Sequence, residues 1–301
     1  MDIGLIGLGR MGGNMGARLA AGGHRVVGFD PDPAAREAAG ADRVEGVASV
    51  AELVAALAPP RAIWIMIPSG DALDRTLATL RPLLAAGDTV IDGGNTYYRD
   101  TIRRAAELAR AGLHYIDAGT SGGIWGRSAG YSLMIGGDAP AVERLRPIFA
   151  TLAPAPNAGW GRVGPSGAGH FVKMVHNAIE YGMMQAYAEG FALLEAKHEL
   201  ELDAGQIAAI WRSGSVVRSW LLDLIARALD ENPELGGVAP YVEDSGEGRW
   251  AVAESIALAV PAPVITLALQ ARFRSRVDDS YADRLLAVMR QQFGGHAVKP
   301  G

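Results

Sequence analysis

Short apolar runs alternate with stretches of helical period through the first half of the chain. The runs fall at 3–7, 25–30, 62–67, 89–92, 114–117 and 132–135. Each is apolar on consecutive positions, as strands covered on both faces are. Between them, 14–21, 50–56, 73–84 and 101–111 carry the period of amphipathic helices. This alternation predicts an α/β domain built on a doubly wound parallel sheet. Residues 153–169 are rich in Pro, Gly and Ala and have little helical period, so the domain boundary is expected there, between 162 and 163. Beyond it the pattern turns helical, with 168–197 as one long helix, followed by 203–212, 220–229, 250–259, 264–273 and 281–292. The expected organisation is an α/β domain over 1–162 and an all-helical domain over 163–301.

At 301 residues, 49% of them apolar, the chain has ample material for such cores, which excludes a disordered polar protein. No apolar run approaches the ~20 residues of a membrane span. The N-terminus lacks a basic region and is broken by glycines, so it does not read as a signal peptide. With no cysteine, disulfides, thiolate metal sites and a cysteine nucleophile are excluded. No metal site is visible, and a cytoplasmic protein is expected. The net charge of -5 argues against nucleic acid or an anionic membrane as a partner. Of 28 basic residues only Lys173, Lys197 and Lys299 are lysines, leaving 25 arginines. A lysine inside a motif is therefore less readily explained as a generic surface charge.

Gly7-Leu8-Gly9-Arg10-Met11-Gly12 follows the first apolar run and opens a helical pattern. In that context G-x-G-x-x-G is the Rossmann dinucleotide fingerprint, with the pyrophosphate at the helix N-terminus. Asp30 ends the second run, 18 residues after Gly12. A carboxylate there accepts hydrogen bonds from the ribose hydroxyls of NAD and repels the 2′-phosphate of NADP. Arg36 lies downstream and leaves NADP possible. Ligands in such sheets bind beyond the carboxyl ends of the strands. Those ends read Ile67-Pro68-Ser69-Gly70, Asp92-Gly93-Gly94-Asn95 and Thr120-Ser121-Gly122-Gly123.

The most informative stretch is the start of the long helix. At 100° per residue His170, Lys173, Asn177, Glu180 and Tyr181 fall within an arc of about 100°, with His176 at its edge. The rest of that stretch is Phe, Val, Met, Ala and Ile, so the polar stripe is expected on an otherwise buried helix. A lysine whose pKa is brought down toward ~7–8 can act as a general base, and a glutamate with a raised pKa as an acid. Such a pair beside a nicotinamide suits alcohol oxidation.

The stretch resembles the signature of the 6-phosphogluconate dehydrogenases, and the resemblance runs through essentially the whole chain. Lys173-Met174-Val175-His176-Asn177 with Ile179-Glu180-Tyr181-Gly182 is the most specific match. The glycine loop, Asp92-Gly93-Gly94-Asn95 and Ser121-Gly122-Gly123 match as well. The resemblance implies Lys173 as general base and Glu180 as general acid. It implies Asn95, Ser121, Gly122, Gly123, His176, Asn177, Tyr181, Arg249, Arg272, Arg290 and His296 around a phosphorylated sugar acid. Gly7, Leu8, Gly9, Arg10, Met11, Gly12, Asp30, Ile67, Pro68, Ser69 and Asn95 would lie around NAD. Arg290 and His296, six apart near the C-terminus, resemble a tail that enters a neighbouring subunit's active site. A homodimer or higher oligomer is therefore implied, with the helical domain contributing to substrate binding and dimerisation. The chain is similar to the short, often NAD-preferring form of the family. Its 244–250 loop lacks the phosphate-contacting lysine of the long form, and Arg249 would have to compensate. Two alternatives stand beside this reading: an enzyme oxidising another β-hydroxyacid such as 3-hydroxyisobutyrate, and a dinucleotide-binding sensor without turnover.

Overall fold

The computed structural model describes residues 1–299. The chain divides into two compact units, Met1–His176 and Asn177–Gly301. The first holds an eight-stranded sheet: β1 (Asp2–Ile6), β2 (Arg25–Phe29), β3 (Glu45–Gly46), β4 (Ala62–Ile65), β5 (Thr89–Asp92), β6 (His114–Ser121), β7 (Ser132–Gly136) and β8 (Trp160–Gly164). The order is β3-β2-β1-β4-β5-β6-β7-β8. All neighbours pair in parallel except β6 with β7. Helices α1 (Arg10–Ala21), α2 (Pro33–Gly40), α3 (Val50–Ala55), α4 (Asp71–Leu80), α5 (Tyr98–Ala109), α6 (Gly126–Ala129), α7 (Ala139–Arg144) and α8 (Arg146–Leu152) complete the layers.

The apolar runs become central strands because adjacent residues point to opposite faces, and both faces are covered. Leu5, Val26, Trp64, Ile91 and Ile116 join one core with Met15 and Leu19 of α1. Their neighbours Ile6, Val27, Ile65, Val90 and Tyr115 join a second core with Leu53 of α3, Leu73 of α4 and Leu108 of α5. The parallel-sheet expectation is corrected at β7, which runs against β6. The stretch 153–169 holds β8, paired with β7.

Helix α9 (Ala168–Ala196) begins in the first unit and continues into the second. The second unit also holds α10 (Ala204–Trp211), α11 (Trp220–Glu231), α12 (Glu247–Ala257), α13 (Pro263–Arg274) and α14 (Tyr281–Gly294). Its cores are small: Tyr181 with Ala268 and Leu269, and Ala208 with Leu222 and Ala226. Several large apolar side chains are left uncovered in the single chain. Leu193, Ile256, Val264, Leu267 and Tyr281 are each more than 60% exposed. An open apolar cavity of about 670 Å³ lies among Met184, Phe191, Leu221, Ile225 and Leu235. Among the described residues no helix is long and apolar enough to cross a membrane.

Candidate active site

Five parallel strands, β2, β1, β4, β5 and β6, deliver their carboxyl ends to one edge of the sheet. That edge carries Asp30, the Gly7–Gly12 turn, Ile67-Pro68-Ser69, Asn95 and Ser121-Gly122-Gly123. Gly7 takes a φ of +93°, and a Cβ on Gly12 would stand 1.9 Å from the Gly7 carbonyl oxygen. Both positions therefore require glycine. A Cβ on Gly9 would meet nothing within 4 Å, so the outer side of the turn is open to an approaching ligand. Gly9 also begins α1 without a side-chain cap, which leaves first-turn amides for an anion. Asp30 Oδ2 accepts from the Leu8 amide at 2.8 Å, and Oδ1 accepts from the Asp32 amide at 2.9 Å. The carboxylate is thus pinned beside the turn, with lone pairs remaining for ribose hydroxyls. Arg36 Nη1 donates to the Asp30 carbonyl at 2.6 Å. Cradle, uncapped helix and fixed carboxylate fit a nicotinamide dinucleotide.

The turn after β5 is shaped by Asp92, which is 1% exposed. Its Oδ1 accepts from the Gly94 amide at 3.0 Å, and Oδ2 accepts from the Thr96 and Tyr115 hydroxyls, both at 2.9 Å. Asn95 is exposed between these two anchored neighbours. Burial, with the Asp92 charge beside it, pushes the Tyr115 hydroxyl well above its usual pKa, so it stays a donor to Asp92.

Lys173 is half-buried on α9, facing β6: a Cβ on Gly119 would lie 2.6 Å from Lys173 Cβ. Its Nζ is 3.5 Å from His176 Nδ1. Lys197, by contrast, is 55% exposed and pairs with Glu199. Asn177, Glu180 and Tyr181 continue along the same helix, so the expected stripe exists as helical spacing. His170 is buried, at 2% exposure, with Nδ1 2.7 Å from Thr101 Oγ1. One detail is corrected: the opposite face of α9 is not buried in the single chain, since Val175, Ile179, Met183 and Leu193 are exposed.

Within the second unit Tyr181, Arg272 and Arg249 gather around the 243–249 segment. Tyr181 is 6% exposed; its hydroxyl accepts from the Ser245 amide at 3.2 Å. The Arg272 guanidinium stacks 3.6 Å above its ring and donates to the Glu243 carbonyl at 2.7 Å. Arg249 donates twice to Asp244, at 2.8 and 3.1 Å, and lies over the Phe273 ring at 4.4 Å. Arg276, which the sequence reading missed, donates to the same carboxylate at 2.9 Å. Arg249 first, then Arg276, bring the Asp244 carboxyl down to about 2. Asn177 Nδ2 donates to Glu247 Oε1 at 2.5 Å. Glu247 is 3% exposed, and its Oε2 is buried without a hydrogen-bond partner. Glu247 was also missed. Its signal was a lone acid opening a helix, which sequence cannot separate from an ordinary first-turn carboxylate. Arg290 lies on α14 and His296 just beyond it, both exposed.

Two family models match the chain. The NAD binding domain of 6-phosphogluconate dehydrogenase covers residues 2–161, and the 6-phosphogluconate dehydrogenase C-terminal domain covers 169–293. An NAD(+)-dependent, decarboxylating 6-phosphogluconate dehydrogenase of Haloferax volcanii is 45% identical over 99% of this chain and 98% of its own length. The structure of Plasmodium falciparum 6-phosphogluconate dehydrogenase, reported with its cofactor NADP+ and its substrate 6-phosphogluconate, matches with a TM-score of 0.85 at 28% identity. It covers all of this chain, which spans 67% of that longer one. A Mycobacterium tuberculosis 3-hydroxyisobutyrate dehydrogenase, reported with L-serine, matches at 0.74 and 26% identity, over 96% of this chain and 99% of that one.

Proposed function

Since the chain belongs to the 6-phosphogluconate dehydrogenase family, we propose that it oxidatively decarboxylates 6-phosphogluconate to ribulose 5-phosphate and CO2, reducing NAD. The observation that carries this reading is the helix α9, which bears Lys173, His176, Asn177, Glu180 and Tyr181 at helical spacing, with Lys173 packed against β6 just before Ser121-Gly122-Gly123. Neither 3-hydroxyisobutyrate oxidation nor ligand sensing accounts for that combination.

Bound NAD supplies the hydride acceptor, held by Gly7–Gly12, Asp30, Ile67-Pro68-Ser69 and Asn95. Lys173 takes the proton of the substrate's 3-hydroxyl as C3 is oxidised. The product is a β-keto acid. Protonated Lys173 stays beside the new ketone oxygen and supports the negative charge that grows there as CO2 leaves. The bond to the carboxyl carbon breaks heterolytically, and its electron pair forms the enediol. Glu180 then delivers a proton to the carbon that lost CO2, completing ribulose 5-phosphate. Asn95, Ser121, Gly122, Gly123, His176 and Asn177 orient carboxylate and hydroxyls. Tyr181, Arg272 and, from a neighbouring chain, Arg290 hold the phosphate, with Arg249 in support, since guanidinium forks suit it.

The same reading includes a homodimer or larger assembly in which Arg290 and His296 enter the neighbouring chain's site. The large apolar side chains that the second unit leaves exposed in the single chain support it, since association would cover them.

The test is NADH formation from 6-phosphogluconate, run beside NADP, gluconate and 3-hydroxyisobutyrate, with CO2 collected. One CO2 per NADH from the phosphorylated acid alone is the expected result. NADH without CO2, or turnover of 3-hydroxyisobutyrate in preference, would overturn the assignment.

A further inference from the structure

Asp117 is fully buried on β6 and has no part in the chemistry above. Its Oδ1 accepts from the Gly167 amide at 2.8 Å and its Oδ2 from the His170 amide at 2.9 Å. Those two amides sit at the start of α9, where no residue three or four places earlier can satisfy them. The carboxylate thus does from another strand what an N-cap side chain does locally. Ser166 Oγ adds a bond to the Tyr115 carbonyl at 3.1 Å, so the whole entry to the helix is tied to β6.

The contact is close because three glycines allow it. A Cβ on Gly136 would lie 2.4 Å from Asp117 Oδ1, and one on Gly169 2.4 Å from the Met134 carbonyl. On Gly119 it would fall 2.6 Å from both the Gly169 carbonyl and Lys173 Cβ. Asp117 also stands four residues before Ser121 on the same strand. One strand therefore carries the cap at 117, the seat of Lys173 at 119 and the loop at 121–123.

We propose that Asp117 is a positioning residue for Lys173: it clamps the first turn of α9 to β6 and so sets Lys173 in register with the Ser121-Gly122-Gly123 loop. The kinetic half of this inference rests on the reading of Lys173 as the base. A carboxylate is needed because both of its oxygens accept. An asparagine keeps one acceptor but sets its NH2 against the second backbone amide.

Asp117→Asn is the test, read in two ways. Hydrogen exchange of 166–173 should rise about tenfold or more while that of α1 stays unchanged, a local opening rather than a global one. With 6-phosphogluconate, kcat should fall roughly 10–100-fold, as expected for a misplaced reacting group. The KM for NAD should stay within about twofold and the isotope effect of deuterium at C3 should grow, because positioning acts on the chemical step. Gly119→Ala, which pushes on Lys173 directly, should give the same kinetic pattern. Unchanged exchange, or a kcat that falls only with the folded fraction at a constant isotope effect, would overturn the proposal. Should the wild-type chain not oxidise 6-phosphogluconate, the reading of Lys173 fails, and the exchange result still decides whether Asp117 holds this turn.

Discussion

Asp30 does two things with one carboxylate. It anchors the Leu8 amide at 2.8 Å, which holds the glycine turn, and in the proposed function it presents negative charge where NADP would carry its extra phosphate. Asp30→Asn removes the charge and keeps the Leu8 bond through its amide oxygen, at the cost of the bond that the Asp32 amide makes to Oδ1. The ratio of kcat/KM for NADP over NAD should rise by about tenfold or more, measured by steady-state kinetics with each cofactor. Arg36, bonded to the Asp30 carbonyl, is poised to contribute to that gain. An unchanged ratio would move cofactor choice to other residues. The glycine turn and the acid beside it were legible in the sequence. A glycine fingerprint and an acid at the end of the next strand are local patterns, and the turn geometry that demands them involves only near neighbours.

The segment leading into α12 is held by side chains from distant elements. Asp244 is 4% exposed, between Arg249 and Arg276, and Arg249 above all lowers its carboxyl from 3.8 to about 2. A carboxyl depressed by folding stabilises the native state above its unfolded pKa, and that contribution is lost as pH falls through the folded value. Here it amounts to about 2 kcal/mol, present above roughly pH 4, mostly lost by about pH 2 and gone below it. Asp244→Asn should lower the Tm near neutrality and lose less stability than the parent between pH 4 and pH 2, as thermal unfolding across that range would record. Equal acid sensitivity of the two proteins would rule the cluster out as its source. Arg276 escaped the sequence reading because its partner is 32 residues away on an irregular segment, and no period marks such a pair. The central strands were legible because burial on both faces leaves an unbroken apolar run. β8, with the sequence Trp-Gly-Arg-Val-Gly at the sheet edge, and the two-residue β3 carry no such run. Helices α2 and α7 were announced only by Asp32 and Asp138 as caps, each followed by a proline in the first turn, a signal weaker than periodicity.

For the molecule as a whole, the uneven burial of its two units is the governing fact. The first covers both faces of its sheet. The second leaves Leu193, Ile256, Val264, Leu267 and Tyr281 mostly exposed in the single chain, a state that association would relieve. If the C-terminal tail completes a neighbour's site, two differently damaged chains should repair each other. Lys173→Met and Arg290→Ala should each be nearly inactive alone. Mixed after dissociation and reassembly, they should regain a substantial fraction of wild-type turnover, because one site in each hybrid pair holds both an intact lysine and an intact tail. A mixture no more active than its components would show that each chain completes its own site. At the same scale, the scarcity of lysine turns Lys173 into a chemical handle. Apart from the N-terminus, an amine-seeking reagent meets only three side chains, one of them tied to Glu199 and another at position 299 near the end of the chain. Covalent labelling resolved by peptide mapping can therefore follow Lys173 beside only two other lysines, and under the proposed function bound sugar acid should slow its modification and leave that of the exposed Lys197 unchanged.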